Sequence, residues 1–171
     1  MKKTMIRVSV CLLIGMISAQ PLMAQEDGKA LLKKWEKEVF TDKAMLYAVG
    51  KEEGMMQKAK EKSVNAARSE LGNKVEAEQK SAANFLKEQF KTDPTKVTEA
   101  ISNLRLESIE LSAVKVLGTQ CFDGSKENQV VCYTAVQMPR AKVDERIDEI
   151  IRNSADADVL SVWTQHRKNP F

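Results

Sequence analysis

The chain has 171 residues, of which 43% are hydrophobic, 30% charged and 5% aromatic, with 7 Gly and 4 Pro; this fits one ordinary globular domain and excludes disordered and collagen-like classes. Its formal charge of +3 rests on Lys2, Lys3 and Arg7 in residues 1–24, where no acid occurs, because the 27 basic residues less these three match the 24 acidic ones. The remainder is neutral, which excludes the basic footprint that nucleic-acid binding needs.

Residues 1–24 read as a secretory signal. Lys2, Lys3 and Arg7 form a positive start, residues 8–18 an apolar core, and Pro21 breaks that core. Leu22-Met23-Ala24 then offers a small residue before a cut ahead of Gln25. The apolar run of about ten to thirteen residues is shorter than the roughly 20 that span a bilayer as a helix. Removal is therefore expected rather than anchoring, with membrane association peripheral at most. Cys11 is a poor lipid acceptor, since Val10 precedes it and Leu12, Leu13 and Ile14 carry the apolar core past it. Cys121 and Cys132 are left, in a compartment where disulfides persist. Met1, Met5, Met16 and Met23 are removed with the signal, so the methionine content does not point to copper.

In the mature chain, residues 29–40 form the first helical pattern, with Leu31, Leu32, Trp35 and Val39 on one face. Residues 44–49 are short and apolar and stop at Gly50, which predicts a strand. From Met55 to about Phe90 the stripe Ala59, Ser63, Ala67, Leu71, Val75, Ala82, Leu86 and Phe90 predicts one long helix, in phase across Gly72-Asn73. Its small first half suits direct contact with a sheet. About 36 helical residues would run about 54 Å, whereas a compact domain of this size is only ~35–40 Å across. The far end is therefore expected to protrude. Asp93-Pro94 starts the next helix, whose Val97, Ala100, Ile101 and Leu104 fold back on the first as a projecting helical hairpin. Phe85, Leu86 and Phe90 are the candidate interaction arm, since a two-helix layer leaves apolar surface for a partner.

Two strands follow, around 114–122 and 130–136, joined by a turn at 123–128. The second is apolar on both faces and is expected to be central or covered on both sides. Val143, Ile147, Ile150 and Ile151 predict a C-terminal helix to about Ser154, and residues 158–171 read as a polar tail. The fold class is thus α+β: a small antiparallel sheet of about three strands packed under a long helix, with the helices on one face. The expected boundaries are 1–24 signal, 25–157 domain and 158–171 tail.

Chemistry-bearing constellations are few. His166 is the single histidine, read as a solvated tail residue, and the two remaining cysteines form no CxxC pair, so no metal site is expected. No phosphate-cradling loop and no nucleophile elbow occur, so no cofactor and no catalytic residue are expected. Glu52-Glu53, Asp144-Glu145, Asp148-Glu149 and Asp156/Asp158 each lie beside Lys or Arg, as on a solvated face. A terminal Phe171 follows a polar, Pro-containing stretch unlike a barrel-closing strand. Symmetric pairing about Lys126-Glu127 sets Cys121 opposite Cys132, at a spacing near the lower end of the disulfide range. A structural bridge there is expected.

Trp35, Leu46-Tyr47-Ala48-Val49-Gly50, Ala59, the run from Ala66 to Gly72, and Asp123-Gly124 followed by Val131-Cys132-Tyr133-Thr134-Ala135-Val136 together resemble the LPP-type "lipoprotein twenty" family of bacterial envelope proteins over roughly residues 35–150. The resemblance implies an α+β domain with a long helix across an antiparallel sheet, exported and associated with the outer envelope. It carries no catalytic residues to transfer. The expectation is a non-enzymatic protein of the periplasm or outer-membrane periphery, acting through a protein partner or as a homo-oligomer. The alternative is a small periplasmic binding domain for an apolar ligand held between helix and sheet.

Overall fold

The computed structural model describes residues 20–106 and 113–168. Most of the expected signal, including Cys11, and the terminal Phe171 lie outside the described residues. In chain order the elements are α1 (Gln20–Glu38), β1 (Met45–Gly54), α2 (Met56–Gln89), a 3-10 turn (Pro94–Val97), α3 (Thr98–Leu106), β2 (Lys115–Asp123), β3 (Val130–Pro139), α4 (Arg140–Ser154) and α5 (Ala157–Lys168). The class is α+β, with an antiparallel sheet in the order β1-β3-β2 packed against the long helix α2.

The strand with two apolar faces, β3, occupies the middle, and its residues 131–136 are buried without interruption. Alternation sends Thr134, Val136 and Met138 to one face and Val131, Tyr133 and Ala135 to the other. On the first face lies α2. On the second lies α1, whose Leu31 and Trp35 pack with Val131, Tyr133 and Ala135. Helices therefore cover both faces, not the single face expected from the element order. The reason is chemical: Tyr133, Val131 and Phe122 form an apolar surface that needs its own cover.

Strand β1 does not stop at Gly50 but continues to Gly54. Gly50 marks a close approach instead. A Cβ there would lie 2.1 Å from the Ser63 carbonyl oxygen and 2.2 Å from the Ala67 amide nitrogen, so only glycine lets the backbone of α2 rest on the strand. Ala59, Ser63 and Ala67, all 0% exposed, complete this contact. Helix α2 holds 34 residues, or about 51 Å. Leu71 and Val75 remain buried across the Gly72-Asn73 step, as the phase of the stripe requires.

Past the sheet, α2 turns at Phe90, whose amide donates to the Leu86 carbonyl at 3.0 Å, and α3 folds back along it. Pro94 takes the first position of the 3-10 turn, while Asp93 accepts from the Thr95 hydroxyl rather than capping a backbone amide. The hairpin is not bare. Helices α4 and α5 close over it, so Ala82, Leu86, Val97, Ile101, Leu104, Ile147, Ile151 and Trp163 belong to one core with Leu46 and Val136 of the sheet. Residues 158–171 are accordingly no tail as far as they are described: α5 buries Val159 and Trp163, and Asp156 caps it by accepting from the Val159 amide at 2.9 Å.

Candidate interaction groove

Three features concentrate polar chemistry or open surface: the disulfide hairpin, the aromatic cluster under α5, and a trough beside the helical hairpin. In the first, Cys121 and Cys132 are directly opposed in the β2–β3 register and bonded, with Cα atoms 4.0 Å apart. The turn is closed by the Gly124 amide donating to the Gln129 carbonyl at 2.8 Å, with Asn128 in the left-handed region at φ 63°. Glu53 of β1 reaches this turn and accepts from both the amide and the hydroxyl of Ser125. Those bonds, the hydroxyl first, hold the Glu53 carboxyl below its ordinary range.

Two turns into α2, a chain of hydroxyls crosses the buried face of the sheet. Ser63 Oγ donates to the Lys60 carbonyl at 2.8 Å. Its single proton is then spent, so Thr134 Oγ1 donates to Ser63 at 2.7 Å and Thr119 donates to Thr134 at 2.8 Å. Three strand and helix hydroxyls are thereby satisfied in one direction, and each helps hold helix to sheet.

The second feature corrects the reading of His166. It stacks on Phe85 with ring centroids 3.8 Å apart and lies 5.5 Å from the Trp163 ring, so it is a packing residue of α5. Trp163 Nε1 donates to Asp148 at 2.8 Å, and Arg167 pairs with Asp144 and Asp148. Further acidic residues noted in the sequence are likewise engaged with neighbours: Glu145 with Lys142, Glu149 with Arg146, and Asp158 with Lys96. Lys96 holds the Asp158 carboxyl below its ordinary range, and Asp158 raises Lys96 in return.

The candidate arm is likewise relocated. Leu86 is 0% exposed in the core, Phe85 lies against His166 and Trp163, and Phe90 packs half-buried on the same cluster. The apolar stripe that looked free is filled by α3, α4 and α5 of the same chain. What stays open is the adjoining side of the hairpin. There Lys87 of α2 and Lys91 of the turn after it face Thr98, Ile101, Ser102 and Arg105 of α3 across a groove of about 620 Å³. A second groove of about 430 Å³, lined by Glu76, Lys80, Asn84 and again Arg105, continues it. Glu76, Lys80, Asn84 and Lys87 follow at three- and four-residue steps along one side of α2, and both grooves include Arg105, so the two form one trough.

No sequence argument singled out Lys87, Lys91 or Arg105. In sequence they read as solvent-facing charges, and only the antiparallel return of α3 brings the two walls together. By contrast, the seam between α2 and the sheet is packed by the buried Gly50, Ser63, Leu71 and Val75. No described helix is long and apolar enough to cross a membrane. No group of three or more His, Cys, Asp and Glu that could hold a metal occurs among the described residues. No family model, curated protein or solved structure matches the chain.

Proposed function

We propose that this chain is a non-enzymatic protein of the cell envelope, exported by its residues 1–24 and acting through contacts with another protein. The observation that carries the reading is the helical hairpin. Its inner side is filled by the chain itself, while its outer side remains an open trough ending in Leu106, which is 79% exposed. Apolar residues exposed singly are ordinary on a surface, so the preformed groove rather than Leu106 carries this reading. The Cys121–Cys132 bridge supports export, since such bonds persist in oxidising compartments. The resemblance to the lipoprotein-twenty family points the same way. The ion pairs of Asp144, Glu145, Asp148, Glu149 and Asp158 favour a structural part for them over acid–base catalysis.

Two measurements on protein from the native host test this. Intact mass should show a chain starting at Gln25 without an acyl group. Native-mass analysis of the envelope fraction should find the chain in a complex heavier than its monomer. Recovery solely as a monomer whose melting temperature rises with added fatty acid would overturn the contact reading. It would favour the second one, a binding domain for an apolar ligand, which draws on the volume of the same groove.

A further inference from the structure

We infer that the trough between α2 and α3 is the docking site for an acidic amphipathic helix of a partner protein. The inference rests on the contact reading above and names the chemistry of the partner.

The first argument is shape. From Glu76 to Lys87 the α2 wall of the trough runs about 17 Å at 1.5 Å per residue, along grooves that share Arg105. A third helix laid into the furrow between two antiparallel helices covers such a length in about three turns. The second argument is surface chemistry. The floor is apolar, formed by Val97 and Ile101, and opens onto the exposed Leu106. This is the setting for apolar anchors recurring at i, i+3, i+4 and i+7 on a helix.

The third argument is charge and selects among occupants. Lys87, Lys91 and Arg105 rim the outer groove, no carboxylate among the described residues lines it, and none of the three forms an ion pair with a described residue. Arg105 belongs to both grooves while Lys91 is at the bend, so the cations spread over about 10 Å of the trough. One lipid headgroup places its charge at a single point and would leave part of that row unanswered. Carboxylates spread from i to i+7 on both flanks of a helix span the same length and answer the cations of both walls.

The test titrates the full chain, disulfide intact, into a fluorescent synthetic helix of about 18 residues with Leu at i, i+3, i+4 and i+7 and Glu on both flanks. Fluorescence anisotropy should show saturable binding that weakens as salt is raised. Lys87→Glu/Lys91→Glu/Arg105→Glu should weaken it about tenfold or more, with an unchanged circular dichroism spectrum. Leu106→Asp serves as an independent variant if the triple one fails to fold, and it should weaken binding as well. Three outcomes overturn the inference: no binding; equal binding of a scrambled peptide or one with Lys in place of Glu; or displacement of the peptide by dodecanoate or anionic phospholipid vesicles. If the triple variant still enters its native complex, the partner docks elsewhere, and the docking inference falls while the contact reading stands. Failure of the contact reading shows separately, as a purely monomeric native protein.

Discussion

At Gly50 the backbone of α2 comes so near to β1 that a methyl group has no room. Gly50→Ala should therefore cost about 3 kcal/mol, toward the upper end of overpacking effects, read as a lowered urea midpoint with an unchanged slope. The hydroxyl chain predicts a smaller effect of different origin. Thr134→Val takes from Ser63 its donor and from Thr119 its acceptor, and should cost about 1–2 kcal/mol. Much of that loss should vanish when Ser63→Ala and Thr119→Val are added, because no partner is then left unsatisfied. Glu53 supplies a pH dependence with a defined sign. Its carboxyl is held below the ordinary value of 4.5 by Ser125, so its contribution is present above that value and lost as pH falls through the lowered one. Glu53→Gln should flatten the acid limb of a stability–pH profile by lowering the neutral plateau, and leave the low-pH end little changed.

Among the described elements, the β2–β3 hairpin is closed covalently, by a bridge that joins residues 11 apart. Cys121→Ala/Cys132→Ala should lower stability by about 3 kcal/mol on the chain-entropy model, measured by thermal unfolding under matched conditions. Alkylation without reduction should label neither cysteine in exported protein. The register of this hairpin was legible because a symmetric turn dictates which residues oppose, and the structure departs from that symmetry only past Gly118, where a bulge shifts the ladder. Helix α5 was not foreseen, although its signals were present: Asp156 as a cap and Val159 and Trp163 on one face. Polar neighbours outnumbered them, and a short helix earns its place mainly by what it packs on.

For the whole molecule, the question is whether the far half of α2 is core or contact surface, and it is both on different sides. Phe85→Ala/Leu86→Ala should destabilise the protein by about 5 kcal/mol, as a large core truncation does, without a specific effect on association at temperatures where it stays folded. Charge reversal at the exposed Lys87, Lys91 and Arg105 should do the opposite, changing stability by about 0.5 kcal/mol or less at each position while altering partner binding. Comparing melting curves with native-complex assays for the two variants separates the two sides of one helix.

Residue order alone carried the α+β class, the unbroken long helix, the central strand and the opposed cysteines, because each depends on local periodicity or on pairing across a short turn. It also foretold the small-residue contact of α2 with the sheet, since Ala59, Ser63 and Ala67 announce close approach on any partner surface. Which partner covers an apolar stripe is a different kind of information. The stripe of Ala82, Leu86 and Phe90 asks for cover without naming it, and α4 and α5, distant in sequence, supplied it from the same chain. Cover for the outer face of Tyr133 came from α1 by the same means. The trough followed from both, because a groove is made by two walls, and Lys87 and Arg105 face each other only after the chain has folded back on itself.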